Sequence, residues 1–148
     1  MSANLLPAIR ASLIGTAAIT GELAAYAGSY PVFTRRPVPD DAPYPLIVVN
    51  PQIQVGQADG MADQKPVLVH DIAVYGLNGV AGTTDNYRAV EHIAFLVHQL
   101  FHRKPASVSA SGWGVVDVTA LGPFPAPVDD EQTVGRRVEI TARLARLD

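Results

Sequence analysis

Hydrophobic residues recur at helical spacing in two stretches of this chain and as alternating or continuous runs elsewhere, so its pattern predicts helices interleaved with strands. Leu6, Ile9, Leu13 and Ile14 share one helical face, with Asn4 placed to cap the helix and Pro7 in its opening turn. Residues 16–21 break that pattern. Residues 22–27, rich in alanine and leucine, predict a second short helical turn ended by Gly28. Between Thr84, the expected cap, and Arg103 lies the clearest helix. Its apolar face carries Val90, Ile93, Ala94, Val97, Leu100 and Phe101, its polar face Arg88, His92, Gln99 and Arg103, and Pro105 should end it.

The strand signals are of two kinds. Leu46, Ile47, Val48 and Val49 form a continuous aliphatic run between prolines, which predicts a strand buried on both faces. Pro51 predicts a bulge, after which Ile53 and Val55 alternate with Gln52 and Gln54 in a half-exposed extension. The polar residues 56–64 then read as the tip of a long hairpin whose second arm is residues 67–75. Residues 115–121 and 134–144 predict two more strands, separated by a proline-rich loop over 122–130. In the last strand Val138, Ile140, Ala142 and Leu144 should point inward, leaving Arg137, Glu139, Thr141 and Arg143 as an exposed face. Before the first strand, residues 31–45 carry prolines at 37, 39, 43 and 45 and predict an extended connector at the surface or on a sheet edge. The fold class expected is α+β: a mixed, mostly antiparallel sheet of about four strands with a long hairpin, packed against one main helix and an N-terminal helix.

Composition narrows the function. The chain has 148 residues, 48% hydrophobic and 17% charged, enough for one core and one domain spanning 1–148. Eleven basic against fourteen acidic residues, net charge -3, argue against a surface built to neutralise nucleic-acid phosphates. With no cysteine there is no disulfide, thiolate nucleophile or cysteine-held metal. The N-terminus lacks the layout of a secretory signal, and no apolar run approaches the roughly 18 residues of a membrane span, so synthesis in the cytoplasm and a soluble, membrane-free protein are expected.

No catalytic constellation emerges. His98 and His102 stand four apart, and Glu91 falls within about 30 degrees of both on a helical wheel. A closed zinc site wants four ligands, however, and the protease motif needs His-Glu-x-x-His. The plainer reading is that His98 and His102 border the apolar stripe and, with the outlying Phe95, form a lateral strip suited to contact another chain. His70 and Asp71 are neighbours on a predicted strand and point to opposite faces, so they make no dyad. Ser107, Ser109 and Ser111 lack a nucleophile elbow. Gly76, Gly79 and Gly82 match neither a dinucleotide nor a P-loop fingerprint and read as turn residues. Asp129, Asp130 and Glu131 read as a solvated acidic loop. No cofactor is expected.

The order of the segments carries more. A helix leads through Leu13-Ile14-Gly15 and Ala18-Ile19-Thr20 to Val32-Phe33 and then to Pro43-Tyr44-Pro45-Leu46-Ile47-Val48-Val49. This resembles the N-terminal half of the tail terminator, or tail-completion, family of long-tailed phages and phage-like gene transfer particles. His70-Asp71-Ile72-Ala73-Val74-Tyr75-Gly76 looks like that family's central strand, followed by the helix near residues 87–101 and closing strands such as 137–144. The proline-rich residues 122–127 have no counterpart in the family pattern.

The resemblance implies a non-enzymatic virion protein at the head-proximal end of the tail. It would form a ring, expected to be hexameric, that caps the tail tube, ends tube polymerisation and offers the head-docking surface. Its partners would be itself, the tail tube protein and the head-tail connector protein, with passive contact to DNA passing through the channel. Ring closure needs two different patches. Phe95, His98 and His102 are the candidate subunit interface, and Gly56, Gln57, Asp59, Gly60, Met61 and Asp63 the candidate tube or connector contact. Two other readings stand beside it: another head-tail connector ring of the neck, and a small-molecule-binding α/β module.

Overall fold

In the computed structural model, which describes residues 4–51, 53–55, 67–78, 86–128 and 131–147, one sheet carries helices on one of its faces. The elements in chain order are α1 (Leu6–Ile14), α2 (Ala17–Thr20), β1 (Val32–Phe33), β2 (Leu46–Val49), β3 (Ile53–Val55), β4 (Val67–Leu77), α3 (Tyr87–Phe101), a 3-10 turn (Pro105–Ser107), β5 (Trp113–Pro125) and β6 (Thr133–Arg146). The strand order is β1-β2-β4-β6-β5, with β3 also paired to β4. β1 runs parallel to β2; every other pairing is antiparallel. The expected α+β class, mostly antiparallel sheet, main helix and N-terminal helix are all present.

Alternation along the strands sorts the two faces. Leu68, His70, Ile72 and Val74 of β4, with Val138, Ile140, Ala142 and Leu144 of β6, are buried beneath the helices. α3 covers them with Val90, Ile93, Ala94, Val97 and Phe101, while α1 and α2 add Ile9, Leu13 and Ile19. Gly76 is buried inside β4 rather than in a turn, correcting the reading of it as a turn residue. A Cβ there would meet Asn86 Cβ and Val90 Cγ2 at 2.6 Å, so only glycine lets the start of α3 lie this close to the strand. Gly79, Gly82 and Thr84 lie outside the described residues.

β2 is buried at all four positions, as expected of an aliphatic run with neighbours on both sides. The bulge also forms. Val49 pairs with Ile72 and Ile53 with Val69, so the first strand uses one more residue than β4 over the same length. Beyond it Ile53 is 66% exposed, and the hairpin continues with Val55 opposite Val67. Its tip, with Gly56, Gln57, Asp59, Gly60, Met61 and Asp63, lies outside the described residues.

Several expected elements fall elsewhere. The second helical turn is Ala17–Thr20, not residues 22–27. Burial decides this: Ile19 and Leu23 anchor the segment to the core, and Ala27 and Gly28, both at positive φ, close a tight turn in which Tyr26 and Ser29 exchange two backbone hydrogen bonds. Leu5, not Asn4, is the boundary residue of α1, and Asn4 Oδ1 instead accepts the N–H of Leu6 at 3.1 Å. α3 ends at Phe101, before Arg103 and Pro105, because His102 turns extended and Arg103 adopts φ 57. The proline-rich loop is the largest correction. β5 runs on through Pro125, and Pro123 and Pro125 are tolerated because β5 is an edge strand. Register shifts between Leu121 and Phe124 around Gly122, whose φ of 108 suits glycine at the irregularity.

Candidate functional site

Exposed groups of α3 supply one surface. Phe95 is 51% exposed on a helix whose other face is fully apolar. His98 and His102 lie beside it as the spacing predicts, their rings stacked with centroids 4.9 Å apart. Glu91 takes a different partner: its Oε1 receives Arg136 Nε at 2.7 Å, and this hydrogen bond raises the arginine's pKa. Among the described residues no group of three or more histidine and carboxylate side chains could hold a metal. Nearby, the Ser107 hydroxyl donates to the Lys104 carbonyl and the Ser12 hydroxyl donates to the carbonyl of Ser107, so both serve the packing of the 3-10 turn on α1.

His102 has a second partner that sequence spacing could not show. Its Nδ1 accepts the N–H of Ala120 at 3.1 Å, and the N–H of Arg103 reaches the carbonyl of Val118 at 2.7 Å. The chain leaving α3 therefore covers the middle of the outer edge of β5. At the opposite edge Arg10 Nε donates to the carbonyl of Val32 in β1 at 3.0 Å. Both ends of the strand order thus have backbone groups occupied from within the chain, a defence against strand-to-strand pairing with other molecules.

On the face away from α3, a half-open cleft of about 870 Å³ lies between the 36–44 connector and residues 126–128. Leu46, Val48 and Ala73 form its floor. Tyr75 stands at one side, its hydroxyl accepting from Arg36 at 3.0 Å with the Arg36 guanidinium 5.6 Å from the ring centre. Gly135, opposite Tyr75 in the register, makes room for that ring: a Cβ would come within 2.9 Å of it. The connector is fastened by Tyr26, which donates to Asp41 at 2.7 Å and meets Phe33 edge-on at 5.8 Å. The hydrogen bond to Asp41 raises the tyrosine's pKa.

The strand face of β6 borders this cleft. Arg137 bridges Asp71 at 3.1 Å and Glu139 at 3.6 Å, and lies over the Phe124 ring at 5.0 Å. Arg137, Glu139 and Thr141 are half-buried, and Arg143 is exposed. Asp71 and His70 do face opposite ways. His70 is 1% exposed, the only polar side chain among the buried described residues; its Nδ1 donates to the carbonyl of Asn50 at the bulge, 3.0 Å away, and its Nε2 has no partner. Burial lowers its pKa, against smaller opposing effects of the Asn50 bond and Asp71.

The fold is shared with a chain from the virion of a native gene transfer agent (GTA) particle. The two are 16% identical, the match covers 96% of this chain and 95% of the other, and the TM-score is 0.68. No protein-family model matches the sequence. No curated protein matches it either. At this identity the likeness establishes the common fold, end to end. Among the described residues no helix is long and apolar enough to cross a membrane.

Proposed function

We propose that this chain is a structural virion protein of the tail terminator type, which assembles into a ring on the head-proximal end of a tail tube, stops its growth and presents the surface on which the head connector docks. The observation that carries this reading is the shared fold with a gene transfer agent virion chain over 96% of the sequence. The resemblance in segment order from residue 5 to residue 50 points the same way. A ring subunit needs surfaces rather than reacting groups, and the chain offers an exposed aromatic on its main helix and a broad cleft across the sheet. In this reading Phe95, His98 and His102 contribute to the subunit contact, and Gly56, Gln57, Asp59, Gly60, Met61 and Asp63 reach the tube or the connector. The ring is hexameric, and DNA passes through its channel.

The test is tube growth. Adding the protein to polymerising tail tube subunits should halt elongation and leave an extra ring at one tube end in electron micrographs. Unaltered tube lengths, with no ring, would count against it.

The cleft favours a second reading, a module that binds a small molecule. Such sites bury most of their ligand, whereas this one lies half open along the sheet. A monomer that stays monomeric and gains thermal stability from a metabolite library would favour that alternative.

A further inference from the structure

β5 ends the strand order, and it carries exposed apolar side chains along its length, Val116 at 61%, Leu121 at 53% and Phe124 at 38%. A long apolar edge of this kind is a template for pairing with another molecule. Over its first part the chain itself occupies the edge: the N–H of Trp113 donates to the Ala110 carbonyl at 3.1 Å, the Val118 carbonyl accepts from Arg103, and the N–H of Ala120 goes to His102. Beyond Leu121 the sequence changes instead, to Gly122-Pro123-Phe124-Pro125-Ala126-Pro127.

In an antiparallel ladder successive residues turn their backbone groups alternately toward the neighbouring strand and away from it. Ala120 faces outward, since its N–H goes to His102, so Leu121, opposite Glu139, faces β6. Ala126 also faces β6, its N–H donating to the Gly135 carbonyl at 3.1 Å. Unbroken alternation would turn Ala126 outward as it does Ala120; the bulge between Leu121 and Phe124 adds one residue and reverses the phase. Phe124, opposite Arg137, therefore faces β6, and Pro125, opposite Arg136, turns its nitrogen to the open edge. Alternation puts Pro123 and Pro127 in the same phase. Every outward position from 123 to 127 is thus a proline, and the stretch presents carbonyls with no N–H. In the opposite phase the same prolines would face β6 and cost the ladder its bonds.

We propose that the Gly122 bulge and the alternate prolines together bar self-pairing, so that the 123–127 edge of one copy cannot add the same edge of a second. Identical antiparallel edges meet about a two-fold axis. Centred on Pro125, such a pair would set Pro123 against Pro127 and carbonyl against carbonyl, with no donor on either side. Contacts on this side of the molecule are left to side chains. The inference goes beyond the ring reading and stands apart from it, because the excluded pairing is the same for a monomer and for a ring.

The test restores the donors. Pro123, Pro125 and Pro127 are exposed, so replacing all three by threonine adds three outward N–H groups without enlarging the apolar surface. The triple variant should keep the native circular dichroism and show, by light scattering across a concentration series, a roughly twofold gain in mass over the unaltered protein. In the associated form the amides of residues 123, 125 and 127 should exchange slowly. Pro125→Thr alone, with a proline still on each side, should keep the mass of the unaltered protein. If the triple variant does not fold, Pro125→Thr with Pro127→Thr, which leaves the bulge untouched, should show the same gain. A folded variant with restored donors and unchanged mass would overturn the inference. So would association without slowed exchange at 125 and 127, since the contact would then lie elsewhere.

Discussion

Nδ1 of His102 accepts the backbone N–H of Ala120 at 3.1 Å, joining the end of α3 to the outer edge of β5. One ring thereby has two duties: it stacks on His98 toward the helix surface and closes a backbone donor on an edge strand. The neighbouring Arg103 to Val118 bond completes the cover.

His102→Ala should remove that acceptor and lower stability by about 1 kcal/mol, read as a lower urea midpoint at an unchanged slope. The uncovered edge is flanked by exposed Val116 and Leu121, so light scattering should also show more aggregation on warming. An unchanged midpoint would mean that water replaces the imidazole at no cost.

Gly76 sets the distance between α3 and the sheet. In Gly76→Ala the new methyl meets Val90 and Asn86, and Asn86 is itself tied to Leu77 by bonds of 2.8 and 3.2 Å, so neither gives way freely. The expected cost is about 1–3 kcal/mol, the usual range for overpacking, measured by thermal or urea unfolding.

His70 makes stability depend on pH in a defined direction. Burial lowers its folded pKa below the ordinary value of 6.5, so well above that pH the ring is neutral in both states and stability is at its full level. As pH falls through that value the unfolded chain takes up the proton first and stability drops, until the pH passes below the folded pKa and the loss levels off. His70→Leu should remove this part of the slope between pH 7 and pH 5 in urea titrations. A variant with the same slope would show that other groups carry it.

Phe95→Asp should leave the fold unchanged by circular dichroism, since the side chain is half exposed, and yet abolish the ring in light scattering. Replacing residues 56–64 by a two-residue turn should do the reverse, preserving the ring while impairing tail joining. An intact Phe95→Asp ring would remove the helix from the subunit contact.

Particular residues show what the pattern of the chain could carry. Val90, Ile93, Val97 and Phe101 repeat at helical spacing and Val138, Ile140, Ala142 and Leu144 at strand spacing, and each set is buried as read. The bulge at Pro51 was equally legible, because a proline beside an aliphatic run interrupts the ladder. The strand through Pro125 was not: those prolines signal a loop unless the strand is known to be an edge, which depends on partners far away in sequence. Likewise Glu22 to Ala27 has helical composition, but the tight turn at Ala27 and Gly28 and the burial of Leu23 override it.

The candidate surfaces divide in the same way. Phe95, His98 and His102 can be placed together from helical spacing alone. The cleft joins the 36–44 connector, β2, β4 and residues 126–128, segments that only the strand order brings side by side. The pairing of Gly135 with Tyr75 was the available signal, and it has meaning only once the register is known.

The central claim is that the chain works as a closed ring, and the most direct measurement is its mass in solution across a concentration series, with and without the tail tube subunit. The account predicts a single assembly of ring mass, expected to be six subunits, formed either by the protein itself or when the tube is added. A monomer at every concentration, indifferent to the tube, would contradict it.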